Sequence, residues 1–452
     1  MNSDRFNPMV IKELRQGLKS RSFLASFLGL QVAMVISMFV YLVSANSKGA
    51  DLSAADGLFW FMLGLILLLF MPLRSFQALS EEIKGNTLEM LFLTRMNAWK
   101  ITFGKWCALV IQLLLMVTAI LPYFVLRYFL GSIDIAGNLE MLFYMIIAAM
   151  LFTSVGVGLS GLNSKLLRGL IIVGVLLSFN ILPLLFLGAS AGFGGGPTFG
   201  MMGWPELVIG LIVVGILMMF FVEYGASQIA PPAENHSLRK RMLALSLAVV
   251  LGSFACIVDD SIAGIILSLV LLIPVSIDAL CEPLIGIPSV YLKLKKFRIA
   301  RWLFYPGWVS GFLFVSLVYW ILFSMMYLIE GDADIWTIGL IIYNILLFPF
   351  VCIRLVPFLG RKALVSYFSL QVISFVFCLL MVFIEEIHFI SDYIILGHLL
   401  PMLGLFVMAD ESVSDLHPFL LLVPTGIMLV ITLLKARRPL KQMQYLSRGG
   451  EG

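Results

Sequence analysis

The feature that most restricts this chain is a succession of apolar runs, each long enough to cross a bilayer. A helix needs about 20 mainly apolar residues to span the hydrocarbon core. Runs of that kind read at 22–44, 58–79, 104–128, 139–161, 166–188 and 206–224, then at 242–258, 262–280, 304–328, 336–356, 364–384 and 416–434. Hydrocarbon offers no partner for a bare amide, so each run must close its own backbone hydrogen bonds as a helix. With 61% hydrophobic and 12% charged residues, and a mean hydropathy of +1.04, the chain cannot hide its apolar surface in a water-soluble core. The expected fold is an all-α polytopic membrane protein of about 12 transmembrane helices, arranged as two parallel six-helix halves.

The basic residues fix an orientation. Five lie in the N-terminal arm (Arg5, Lys12, Arg15, Lys19, Arg21) and five between spans two and three (Arg74, Lys84, Arg95, Lys100, Lys105). Two lie between spans four and five (Lys165, Arg168) and three follow span six (Arg239, Lys240, Arg241). Five more lie between spans eight and nine (Lys293, Lys295, Lys296, Arg298, Arg301) and three between spans ten and eleven (Arg354, Arg361, Lys362). The last five are in the tail (Lys435, Arg437, Arg438, Lys441, Arg448), which leaves only Lys48 and Arg127 of 30 on the other side. Such a bias puts both termini in the cytoplasm. The net charge of +4 follows the membrane, so it gives no ground for nucleic-acid binding.

One apolar run resists this parity. If residues 389–409 crossed, the basic tail would emerge outside, so the expectation is a re-entrant dip broken at Pro401 or Gly404. Its counterpart in the first half is the glycine-rich "GASAGFGGGPTFGMMGWP", Gly188 to Pro205. Re-entrant elements are therefore expected between the fifth and sixth span of each half. "VSA" ending at Ala45 resembles a leader cleavage site, but the run before it exceeds the usual signal core, so a retained span is expected. Cys107, Cys256, Cys281, Cys352 and Cys378 form no CxxC pair and imply neither a disulfide framework nor a thiolate metal site.

The halves carry traces of a duplication. "SFQALSE" (Ser75 to Glu81) and "SIDALCE" (Ser276 to Glu282) open the second-to-third-span connection in each half and share Ser, Ala, Leu and Glu. Both connections end on a Gly/Trp element, "GKW" at Trp106 and "PGW" at Trp308. The expected organisation is an amphipathic cytoplasmic helix at 1–21, a first half at 22–224, a linker at 225–241, a second half at 242–434 and a basic tail at 435–452. Parallel repeats of this kind occur among transporters, with pathways at the repeat interface.

Between spans two and three stands "SEEIKGNTLEMLFLTRM", Ser80 to Met96, charged where its surroundings are apolar. Asn86 or Thr87 can cap a helix, Glu89 falls in its first turn, and Leu88, Leu91 and Phe92 repeat on one face. An amphipathic surface helix is expected.

Together with "NPMVIKELRQGLKSRSF" (Asn7 to Phe23) and its Glu13-Leu14-Arg15 core, this segment resembles the type 2 ABC exporter permeases. The matching positions are Glu81, Glu82, Gly85, Thr87, Leu88, Glu89, Leu91, Thr94, Gly104 and Lys105, and the resemblance covers roughly residues 7–224. The second half keeps the layout but lacks the Gly-Thr-Leu-Glu core. The resemblance implies that Glu81, Glu82, Gly85, Thr87, Leu88, Glu89 and Thr94 form a coupling helix seated on an ABC ATPase subunit. It implies that Glu13, Leu14 and Arg15 belong to an interfacial helix beside it, and that the chain is the permease in a bacterial inner membrane. No G-x-x-x-x-G-K-[ST] occurs in the chain, so ATP and Mg²⁺ would be bound by the partner, with no cofactor or metal on this chain. Further permease or accessory subunits stay open.

Plainer readings stand beside these. Glu81, Glu82 and Glu89 could be a solvated helix face, and Glu13 with Arg15 a surface ion pair. Asn180, Asn344 and Arg354 read as groups that hydrogen-bond between helices or snorkel to the headgroups, since polar groups in a span are costly to leave unmet. Glu385, Glu386, His388, His398, Asp410, Glu411 and His417 invite a metal reading, but they are scattered and lack H-E-x-x-H spacing, so an acidic outer rim is expected. A secondary transporter of major-facilitator architecture is the alternative class, though the long second connection and the absence of G-x-x-x-D-R-x-G-R speak against it. A membrane enzyme would need a clustered acid, base or metal set, which the sequence does not show. The substrate is not readable.

Overall fold

The computed structural model describes residues 8–46, 52–85, 96–130, 135–162, 204–231, 234–257, 269, 271–285, 302–330, 333–388 and 417–447. The expected fifth span at 166–188, the glycine-rich stretch and the dip at 389–409 lie outside these residues. The described chain is helical throughout and forms two compact units, Met1–Ala230 and Pro231–Gly452. Among the described residues, seven helices are long and apolar enough to cross a membrane. Five fall in the first unit (Arg21–Ser44, Ala55–Lys84, Ala98–Leu130, Ile135–Ser160, Leu207–Ile229) and two in the second (Trp308–Met325, Ile338–Leu355), where Leu271–Cys281 and Ala363–Phe377 add shorter apolar helices. The protein is a polytopic, helical membrane protein.

The first unit opens with α1 (Pro8–Lys19) and α2 (Arg21–Asn46), separated by Ser20 alone. Ser20 closes one helix and opens the next: its hydroxyl donates to the Gly17 carbonyl at 2.6 Å and accepts from the Phe23 amide at 3.2 Å. The chain continues through α3 (Leu52–Gly64), a π turn (Leu65–Phe70), α4 (Met71–Ser75) and α5 (Ala78–Lys84). Pro72 lacks an amide hydrogen and crowds the carbonyl four residues back, which accounts for the widened turn before it. Then come α6 (Ala98–Leu130), α7 (Ile135–Ser160) and α8 (Trp204–Ile229), which runs beyond the expected span end at 224.

Leu30, Met34 and Met38 of α2 pack with Phe59 and Leu63 of α3, Leu113, Met116 and Ile120 of α6 and Leu142 and Ala149 of α7. Val32, Val35, Ile36 and Phe39 of α2 face outward, exposed. A helix apolar on both its packed and its open side fits lipid surroundings. Small residues bring α7 and α8 together: a Cβ on Gly158 would sit 2.5 Å from the Phe221 carbonyl oxygen. Arg127, near the end of α6, is buried. It pairs with Asp56 and lies 4.3 Å from the Phe59 ring, with Trp60 and Tyr41 beside it.

In the second unit α9 (Ser237–Ile257), α10 (Ile273–Cys281), α11 (Trp308–Glu330), α12 (Ala333–Leu355), α13 (Ala363–His388) and α14 (His417–Ser447) follow in order. The last helix carries Lys435, Arg437, Arg438 and Lys441 of the expected tail. Rings of Tyr319, Phe323 and Tyr343 meet at about 6 Å between α11 and α12. Asn344 of α12 accepts from the Thr425 hydroxyl of α14 at 2.8 Å, and Arg354 donates to the Leu280 carbonyl at 3.1 Å beneath Trp308. The role expected of Asn344 and Arg354, bonding between helices, is the one they have here; Asn180 lies outside the described residues.

Candidate coupling junction

The first residues of α6 are where the N-terminal helix and the start of the first connection meet. Gly104-Lys105 stands two turns into that helix, and the Lys105 ammonium is almost wholly covered. It donates to Glu13 of α1 at 3.0 Å and to Glu82 of α5 at 3.2 Å, with Lys12 4.0 Å from Glu82. The side chains of Lys105, Glu13 and Glu82 are 6%, 18% and 12% exposed, so this is a part-buried network and stronger than a surface pair.

A small apolar cluster lies beside this node. Met9 of α1, Leu79 of α5, Ala98 and Ile101 of α6, and Ala226 and Ile229 of α8 come together there. The Leu79 amide, in the first turn of α5, has no carbonyl of its own helix to reach and donates instead to the Ser160 hydroxyl at 3.1 Å. Five helices therefore converge on one point at the start of the connection.

A second node holds the other end of α1. Arg74 of α4 donates to Gln112 of α6 at 2.7 Å, to the Gly17 carbonyl at 3.1 Å and to the Ser20 hydroxyl at 2.7 Å. Gly17 permits this approach, because a Cβ there would fall 2.1 Å from the Gln112 amide nitrogen. Helix α1 is thus fixed to α6 at Glu13 and to both α4 and α6 around Gly17.

Of the residues singled out in the sequence, Glu13 and Glu82 meet at Lys105. Leu14 is half-buried on α1, and Arg15 points to the exterior. Glu81 lies in α5, and Gly85 forms the exposed turn that follows it. Thr87, Leu88, Glu89, Leu91 and Thr94 fall outside the described residues. Sequence reasoning counted Arg74 as a topology charge and did not single out Gln112. The sequence signal for them was an arginine and a glutamine placed inside apolar runs.

The second unit has its own charged centre at the corresponding helix end. Glu282 follows α10 and pairs with Arg241 at 2.7 Å and Lys240 at 3.5 Å, both from the first turns of α9. It also accepts from the Ser237 hydroxyl at 2.5 Å, while Lys240 reaches Asp278 at 2.7 Å. Arg241 donates further to the carbonyls of Leu303, Tyr305 and Gly307 and to Ser310. Burial alone would push the Glu282 carboxyl up, but Lys240 and Arg241 outweigh it and hold it below its ordinary value. Burial works against the Lys240 ammonium too, and the Asp278 and Glu282 carboxylates overcome it and raise its pKa.

No set of three or more His, Cys, Asp or Glu side chains among the described residues is placed to hold a metal ion. Cys107, Cys281 and Cys352 are free thiols. In comparisons with known proteins, no family model, no curated protein and no solved structure matches the chain.

Proposed function

We propose that this chain is the membrane-spanning permease subunit of an ABC transporter of the exporter type, driven by a separate ATPase subunit. The observation that carries the reading is the Lys105 node. In it the start of the first connection, the N-terminal amphipathic helix and a long span share one buried cation, so displacement of the connection is passed to all three. In this reading the surface segment after Gly85, with Thr87, Leu88, Glu89 and Thr94, meets the ATPase. Glu82, being engaged by Lys105, anchors that segment. The full layout is two six-span halves with both termini cytoplasmic in a bacterial inner membrane, and ATP with Mg²⁺ stays on the partner.

Affinity purification of the tagged chain in mild detergent tests this. The expected result is co-purification of an ABC ATPase subunit whose association is lost in Glu89→Lys. Absence of any ATPase, together with transport that an uncoupler abolishes while cellular ATP is maintained, would overturn it in favour of an ion-coupled transporter.

A further inference from the structure

The face of α1 turned away from the Lys105 and Arg74 nodes is not used by anything described so far. Met9, Glu13 and Gly17 recur at i, i+4 and i+8 and form the packed side. Opposite them, Ile11 and Leu18 stack at i, i+7 and are 42% and 38% exposed. Beside this apolar row runs a basic one: Lys12 and Lys19 at i, i+7 with Arg15 between them, all exposed, and Arg21 two residues beyond Lys19. Arg15, Lys19 and Arg21 have no partner among the described residues.

The position of this face is fixed by the chain itself. Ser20 alone separates α1 from α2, whose Leu24, Leu28 and Val32 are exposed on the side of a span. The interfacial layer between hydrocarbon and water is only about 5–8 Å deep, so a helix joined to the first turn of a span by one residue lies at headgroup depth. Two aliphatic side chains there can dip toward the acyl boundary while the adjacent cations remain at the level of the phosphates.

We propose that this face of α1 is a binding ledge for anionic phospholipid, with Ile11 and Leu18 in the acyl boundary and Arg15, Lys19 and Arg21 on the headgroup phosphates. Anionic lipid would then brace α1 from outside while Lys105 and Arg74 hold it from inside. The proposal requires only that the chain sits in a membrane, and it stands or falls independently of any ATPase partner.

Incorporation of a benzophenone amino acid at Leu18 of the full chain, in nanodiscs of mixed phosphatidylcholine and phosphatidylglycerol, reads the lipid at this face directly. Captured phosphatidylglycerol is expected to exceed its bulk share by about fivefold, an excess that shrinks as salt is added. Arg15→Gln with Lys19→Gln should return the ratio to the bulk value. Because both side chains are exposed and partnerless, that variant should elute and melt like the parent. Capture at the bulk ratio in the parent, no lipid captured at all, or an excess that survives the double substitution would each overturn the proposal.

Discussion

Glu82 accepts a hydrogen bond from Lys105 at 3.2 Å, and that contact ties the end of α5 to the first turns of α6. Since Glu13 shares the same ammonium, Lys105→Met takes the shared cation from two part-buried carboxylates at once and leaves Glu82 with Lys12 at 4.0 Å. A loss of about 2 kcal/mol is expected, below the roughly 3–5 kcal/mol of a fully buried broken pair because both acids keep some solvent access. A thermal-shift assay in detergent measures it. Adding Glu13→Gln and Glu82→Gln to the Lys105→Met chain should recover most of the loss. A Lys105→Met chain that melts with the parent would show that the node contributes nothing to stability.

Helices α10 and α11 touch through backbone at Gly311, where an added Cβ would lie 1.9 Å from the Ala279 carbonyl oxygen. A carbonyl within a helix cannot swing aside as a side chain can, so Gly311→Ala must push the helices apart, at an expected cost of about 2–3 kcal/mol. Gly426 in α14 has nothing within 4 Å of the same added atom. Gly426→Ala should be neutral or stabilising by up to about 1 kcal/mol through helix propensity. Equal melting behaviour of the two variants would contradict the close approach.

The difference between these sites shows what a sequence displays and what it conceals. Apolar run length forces helices in lipid, so the helical, polytopic class and the seven long apolar helices among the described residues were legible from composition and spacing alone. The sign of a charge was legible too, but its depth was not. Lys105, Lys240 and Arg241 appeared as cytoplasmic cations, and nothing local revealed that each would be buried against acids up to 92 residues away in the chain. Glu282 was visible because "SIDALCE" repeats an earlier heptapeptide, yet its partners on α9 carry no repeat signal. Gly17 and Gly311 looked like ordinary helical glycines, since only the neighbouring helix makes them necessary.

Glu282 gives the second unit a defined acid limb. Folding lowers this carboxyl below its ordinary value of 4.5. Its contribution is therefore present above that value and is lost as pH falls through the lower folded pKa. Lys240 has the opposite sign: its pKa is raised, so its contribution is present below the ordinary lysine value and is lost as pH rises through the folded pKa. Melting temperatures recorded from about pH 7 to pH 3 should fall more steeply for the parent than for Glu282→Gln, which starts lower at neutral pH. Parallel acid limbs in the two chains would exclude this carboxylate as the source.

Asn344 and Thr425 are both fully buried, and their hydrogen bond at 2.8 Å joins α12 to α14. The Thr425 hydroxyl also reaches the Leu421 carbonyl in its own helix, whereas the Asn344 amide nitrogen has no partner among the described residues. Thr425→Val therefore removes the asparagine's interhelical hydrogen bond and leaves both ends of a buried amide without a partner among the described residues. Asn344→Leu instead removes the amide while the hydroxyl keeps its carbonyl, so it should be the milder change. Interhelical hydrogen bonds in membranes are worth about 1 kcal/mol, because the separated helices find partial partners as well. A double-mutant cycle on thermal stability should give a coupling of that size, with Asn344→Leu/Thr425→Val more stable than Thr425→Val alone. Strict additivity of the two single changes would mean that the bond does not hold these helices together.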